Sequence, residues 1–111
     1  MELVIKYEDE LETKEIKDIN MLKDELCSYY GSFIQEDDEY GIQLFEMRDF
    51  DNLIDNIEEY FVYSFFELAK AYFLTLKEIL SSNTIEEIKE KIPTLNNIFN
   101  SVGLPLEYDI K

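Results

Sequence analysis

The longest apolar stretch of the chain is FDNLIDNIEEYFVYSFFELAKAYFLTLKEILS, residues 50 to 81. Its apolar residues recur at intervals of three, four and seven, which places them in one stripe along a helix. We therefore predict one long helix or two joined helices here, capped by Asp49 or Asp51. The residues of the stripe are Leu53, Ile57, Phe61, Leu68, Tyr72 and Ile79.

Further apolar residues widen the stripe until only a narrow polar strip remains on this helix. A helix that is apolar over most of its circumference needs partners on several sides, so we expect it at the centre of the domain. A break is expected near Tyr63 and Ser64, because neighbouring aromatic residues lower helix propensity. The widening residues are Phe65, Phe66, Phe73, Leu76 and Leu80, and the polar strip is Glu67, Lys70, Lys77 and Glu78.

Two other interpretations of this stretch are less favoured. A membrane span would place Glu67 and Lys70 near its centre, where each charge costs a few kcal/mol. A ligand platform is also disfavoured, because aromatic residues at helical spacing more often form a core.

Outward from this helix, the sequence predicts a small sheet and shorter helices. Alternating side chains predict strands at 2 to 7, 41 to 48 and 104 to 111, with the last strand pairing with the first. The charged residues 8 to 15 are interpreted as a loop or the first frayed turn of a helix. The expected class is α+β, predominantly helical, with about three strands and one domain over residues 1 to 111.

Three shorter helices are predicted from apolar spacing and end signals. The first covers 15 to 34, and the acidic segment 35 to 41, QEDDEYG, follows it as a loop. The second begins at Asn83 or Thr84 with a capping box and ends at Pro93. The third covers 94 to 103, with Gly103 at its C-terminal end.

The most distinctive property of the chain is its charge. Among its 111 residues, 26 are acidic and 10 are basic, which gives a net charge of −16. Such a surface repels nucleic acid and anionic lipid, so we expect neither direct nucleic-acid binding nor membrane binding. It attracts basic proteins.

The sequence lacks the residues that most catalytic and metal sites require. It has no histidine, one cysteine and three glycines, so we expect no enzyme activity, no metal and no cofactor. An EF-hand register with Gly41 sixth puts Tyr40 fifth and Met47 twelfth, where oxygen ligands are needed. The single Cys27, expected to be buried, and an N-terminus without signal-peptide character lead us to expect a cytoplasmic location.

These properties predict a small acidic protein that inhibits a basic partner. The partner would be a nuclease toxin or another nucleic-acid-binding effector, and this chain an immunity protein, an antitoxin or an anti-defence protein that mimics DNA. The alternative is a structural or adaptor module that self-associates, for example as a homodimer, through the apolar belt of the central helix. The candidate contact residues are Asp18, Asp24, Glu25, Glu36, Asp37, Asp38, Glu39 and Tyr40.

Overall fold

The computed structural model describes residues 1–60 and 66–111. These residues form three strands and six helices, which confirms the α+β class. The strands are β1 (Glu2–Tyr7), β2 (Glu10–Glu15) and β3 (Leu106–Ile110). The helices are α1 (Ile19–Leu26), α2 (Glu39–Glu46), α3 (Phe50–Asp55), α4 (Ile57–Tyr60), α5 (Phe66–Leu80) and α6 (Ile85–Ser101).

The sheet is antiparallel, with strand order β2-β1-β3. The predicted first and last strands and their pairing are confirmed. The prediction of a loop or frayed helical turn at residues 8 to 15 is wrong, because Glu8 and Asp9 form a two-residue turn that returns the chain along β1. High charge did not prevent pairing, since β2 is an edge strand held by backbone hydrogen bonds rather than by burial.

Helix α1 is much shorter than the predicted helix over residues 15 to 34. It begins after Asp18, whose carboxylate accepts a hydrogen bond from the Met21 N–H at 2.8 Å, and it ends at Leu26. Phe33 and Ile34 are nevertheless fully buried. The apolar spacing therefore predicted correctly that these residues enter the core. The backbone between residue 26 and Phe33, however, forms turns rather than the predicted helix.

The prediction of a strand at residues 41 to 48 is also wrong, because this segment lies mostly in helix α2. Asp38 caps α2, and the helix buries Gly41, Leu44 and Phe45 on one side. Spacings of three and four along this buried face are helical. The short segment also fits an alternating pattern, so periodicity alone did not distinguish the two structures.

A single long helix over residues 50 to 81 is not confirmed. Asn56 interrupts the region between α3 and α4, and its side-chain amide donates to the Asn52 carbonyl at 3.1 Å. Such side-chain bonds compete with helical backbone bonds. The break predicted at Tyr63 and Ser64 lies outside the described residues, as do Phe61 and Phe65.

Helix α5 contacts α1, α3, α4 and α6. Tyr72, Phe73, Leu76 and Ile79 are buried along it. Phe66 was predicted to widen the apolar stripe, but 43% of its surface is exposed. The polar residues Glu67, Lys70, Lys77 and Glu78 are exposed as predicted.

Helix α6 joins the two helices that were predicted on either side of Pro93. Thr84 caps it by accepting from the Glu87 N–H, which confirms the predicted cap. The return bond of the predicted capping box is displaced by one residue, because the Glu87 carboxylate accepts from the Asn83 N–H rather than from the Thr84 N–H. Pro93 does not end the helix, because it lies on the exposed face while a continuous stripe on the other face holds the helix in the core. Gly103, with a φ of +77°, follows the helix as predicted.

Aromatic rings from several elements meet in the core. Phe33 stacks on Tyr72 with ring centroids 4.1 Å apart, and Phe99 packs between Tyr72 and Tyr108 at 5.6 Å from each. The described aromatic residues of α5 thus serve mainly as core. None of the described helices combines the length and apolar character that a membrane span requires.

Candidate protein-binding surface

The acidic side chains lie at the surface of the protein. All 26 fall within the described residues and none of them is buried. Several of the 10 basic residues are already engaged with acids within the chain. The ion pairs join Lys14 to Glu12 and Glu25, Arg48 to Asp24, Lys77 to Asp51, and Lys91 to Glu78.

The acidic run at residues 36 to 39 contains one residue with a clear structural role. The Asp38 carboxylate accepts a hydrogen bond from the Gly41 N–H at 2.9 Å and so caps α2. A side chain at position 41 would meet that carboxylate at 2.8 Å, which explains the glycine. Asp38 is half-buried and is therefore a poor contact for a partner.

Four other predicted contact residues surround the start of α2 and are exposed. They comprise three carboxylates and a tyrosine with 55% of its surface exposed. We call this set the α2 N-terminal surface, and its members are Glu36, Asp37, Glu39 and Tyr40. Glu36 also borders a shallow cavity of about 300 Å³ with Gly31 and Val102.

The three predicted contact residues on and before α1 all have partners within the chain. Asp18 caps α1, and Asp24 is paired with Arg48. Glu25 accepts from Lys14 at 2.9 Å, a hydrogen bond that raises the pKa of the Lys14 ammonium group. These acids stabilise the fold locally and are less available to a partner than the α2 N-terminal surface.

The structure separates the predicted contact residues into two groups. Asp24 pairs with Arg48, which follows the C-terminal end of α2, whereas residues 36 to 39 lie at its N-terminal end. The eight residues of α2 span about 12 Å at 1.5 Å per residue. The predicted residues therefore do not form one compact patch.

The hairpin of β1 and β2 carries acidic residues that the sequence interpretation did not select. Five carboxylates lie on its turn and second strand, and all are exposed: Glu8, Asp9, Glu10, Glu12 and Glu15. A signal for this hairpin was present, because two turn residues separate Tyr7 from Glu10 and such spacing is typical of tight hairpins. The high charge of residues 8 to 15 led to their interpretation as a loop or a frayed helical turn instead of a strand.

The buried ionisable groups of the core are held in their neutral forms. Burial raises the pKa of the Cys27 thiol from 9.0 to about 12. Burial likewise raises the pKa of Tyr72, whose hydroxyl donates to the Tyr29 carbonyl, and the pKa of Tyr108. Cys27 is thus a protonated core residue at neutral pH rather than an activated thiolate.

A groove runs between α6 and the open side of the sheet. It consists of two adjoining cavities of about 400 and 500 Å³ that share Lys6, Asn96 and Glu107.

Within residues 1–60 and 66–111, no three acidic or cysteine side chains form a group that could hold a metal ion.

Comparison of the chain with protein-family models, with curated proteins and with solved structures found no match in any of the three.

Proposed function

We propose that this protein binds and inhibits a basic, nucleic-acid-binding protein through its acidic surface. The observation that carries the proposal is the distribution of charge: 26 carboxylates all lie outside the core, against 10 basic residues. The net charge of −16 makes the field that a partner meets strongly negative, and ion pairs already occupy several of the few basic residues.

The inhibition would rest on competition for a cationic groove. Carboxylates spaced over a folded surface would occupy positions where the partner otherwise binds phosphates. Complementary charge accelerates the encounter and selects the partner, while aromatic anchors supply much of the affinity. Tyr40 suits the anchor role because it is exposed beside Glu36, Asp37 and Glu39.

The proposal is tested by capture of partners from a nuclease-treated lysate of the native host, with elution by rising salt and identification by mass spectrometry. The expected result is a basic nucleic-acid-binding protein that is released as salt screens the attraction. Recovery of no basic protein, or of one that resists high salt, would contradict the proposal.

A charge-reversal pair tests the role of the α2 N-terminal surface. Glu36→Lys with Asp37→Lys should weaken capture at least tenfold, and Asp38 stays in place because it caps α2. The matched control is Asp55→Lys with Glu90→Lys, which changes the net charge equally at exposed sites on α3 and α6. Equal loss in both pairs would show that general charge, and not this surface, determines binding.

A second candidate function is self-association, which the exposed apolar residues of α5 favour. Phe66 and Leu74 are 43% and 50% exposed on that helix. Sedimentation should then show a salt-insensitive dimer that Leu74→Gln dissociates, whereas Met47→Gln, at an exposed apolar residue outside α5, leaves it intact. A monomer at all salt concentrations would exclude this candidate.

A further inference from the structure

The two outer edges of the sheet differ in how their backbone groups are satisfied. Between β1 and β2, the Ile16 N–H donates to the Met1 carbonyl, so Met1 and Ile16 form a hydrogen-bonded pair. In an antiparallel ladder every second pair of opposing residues is hydrogen-bonded, so the next bonded pairs are Leu3 with Lys14, Ile5 with Glu12 and Tyr7 with Glu10. In β2, the residues bonded to β1 are therefore Glu10, Glu12 and Lys14. The N–H and C=O groups of Leu11 and Thr13 point away from the sheet.

The outer edge of β3 is covered at its centre, Tyr108, by a side chain of α6. Glu2 of β1 and Lys111 exchange two backbone hydrogen bonds at 2.8 Å. Because hydrogen-bonded pairs alternate along the ladder, the N–H and C=O groups of Tyr108 point away from β1, towards α6. Asn96 on α6 bonds both of them, with its Nδ2 donating to the Tyr108 carbonyl and its Oδ1 accepting from the Tyr108 N–H, each at 2.9 Å. At Tyr108, helix α6 thus supplies the two bonds that a neighbouring strand would make, and the helix packs along β3.

The outer edge of β2 has no such cover in the described part of the chain. No hydrogen bond joins the outward groups of Leu11 or Thr13 to another described residue. Every residue of β2 is exposed except Lys14, which is half-buried. The strand therefore presents a row of open donors and acceptors to solvent, the template on which an added strand pairs.

The side chains of β2 determine which added strand would fit. Glu10 and Glu12 share one face with Lys14, whose ammonium group is bonded to Glu25 at 2.9 Å and makes only a longer contact, 4.0 Å, with Glu12. Leu11 lies on the opposite face and is 69% exposed. A second copy of β2 would bring the same acids, and the same net charge of −16, against this edge.

We propose that the outer edge of β2 receives an extended basic segment of the partner as a fourth strand of the sheet. The inference rests on the proposed function, since the charge of the partner is taken from it. The segment carries Lys or Arg opposite Glu10 and Glu12, and an apolar side chain opposite Leu11. Main-chain bonds to Leu11 and Thr13 supply the attachment, and the charges set the register.

The test uses a blocked peptide of alternating lysine and valine residues with the full chain. Thr13→Pro removes an outward N–H without removing a bond to β1, because that N–H faces solvent. Thr13→Val is the matched control, since it keeps both the N–H and the charge. Calorimetric titration should show at least tenfold weaker binding to Thr13→Pro than to Thr13→Val, with circular dichroism confirming that both fold.

A second measurement does not depend on the proline variant. In hydrogen exchange of the unaltered chain, the peptide should slow exchange at the amides of Leu11 and Thr13. The same peptide with alternate backbone nitrogens methylated keeps its charge and should give no protection. Equal binding of both peptides, or equal binding to both Thr13 variants, would show charge attraction alone and overturn the edge assignment.

Two further outcomes separate this inference from the proposed function. If a captured basic partner binds Thr13→Pro as well as it binds Thr13→Val, the proposed function stands and the edge assignment fails. If the unaltered chain forms a dimer that Thr13→Pro dissociates, the edge belongs to a second copy and the peptide assignment is likewise overturned.

Discussion

Asn96 on α6 bonds both backbone groups of Tyr108 on β3 through its side-chain amide, with two hydrogen bonds of 2.9 Å. An amide is suited to this task because it offers one acceptor and one donor side by side, as a neighbouring strand would. The contact fixes the last strand against α6 and covers the centre of that edge of the sheet. It leaves the β2 edge as the side on which the sheet can extend.

Removing this amide should destabilise the fold. Asn96→Ala leaves the N–H and C=O of the buried Tyr108 without their partner, which costs about 1–3 kcal/mol of unfolding free energy. Asn97→Ala is the control, because Asn97 is exposed on the same helix and should change stability by less than about 0.5 kcal/mol. Urea unfolding measures both, and equal midpoints would contradict the role given to Asn96.

The turn between β1 and β2 should be improved by glycine. Glu8 has a φ of +56°, a conformation that costs side-chain-bearing residues about 1–2 kcal/mol. Glu8→Gly removes that strain, but glycine also makes the unfolded chain more flexible, which reduces the gain in stability. We therefore expect the free energy of unfolding to rise by about 0.5–1 kcal/mol. Asp9→Gly lacks the benefit, because Asp9 has no positive φ. A lower thermal midpoint for Glu8→Gly would contradict this account.

Within the acidic run, Asp38 and Asp37 should behave differently. Asp38→Ala removes the cap of α2 and should cost about 1 kcal/mol. Asp37→Ala, at an exposed neighbour, should leave the unfolding midpoint nearly unchanged. The reverse order in denaturant unfolding would contradict the assignment of the cap. The difference also decides that Asp37, and not Asp38, is the residue to change in binding experiments.

Stability should fall as the pH rises above 9. Burial raises the pKa of Cys27 from 9.0 to about 12 and raises the pKa values of Tyr72 and Tyr108 above 10.0, so these groups ionise first in the unfolded chain. Above pH 9 the unfolded state binds fewer protons than the folded state. The free energy of unfolding therefore decreases with pH, by up to about 1.4 kcal/mol per pH unit for each of these groups.

Urea midpoints between pH 8 and 11 measure this loss, and Cys27→Ala is the informative variant. It should be less stable at pH 8 because it loses core packing. It should lose less stability between pH 9 and 10, because the first group to ionise is absent. A stability that stays level from pH 8 to 11 would contradict the burial of these three groups.

Apolar spacing predicted which residues are buried better than it predicted the backbone that carries them. Phe33 was predicted in a helix and Leu44 in a strand, and both are buried. Phe33 lies in a turn and Leu44 in helix α2. The reason is that burial requires only a side chain directed inward, which turns and helices can both provide. Capping signals were more reliable, since Thr84 caps α6 as predicted and the Glu87 side chain returns to the backbone beside it, at Asn83.

The candidate surface was predictable only in part. Charge identified the run from Glu36 to Glu39, but the sequence did not show that Asp38 caps a helix or that Asp24 meets Arg48. Both facts depend on α2 being a helix. The open edge of β2 was missed because the charged residues 8 to 15 were interpreted as a loop or a frayed helical turn, whereas an edge strand can be charged and exposed on both faces.

If the acidic surface occupies the groove where the partner binds nucleic acid, this protein and duplex DNA compete for the captured basic partner. Fluorescence anisotropy of labelled DNA, followed as the protein is added at several salt concentrations, measures displacement. The protein should release the DNA from the partner, with an effect that weakens as salt increases. A ternary complex in which the partner holds both DNA and this protein would contradict it.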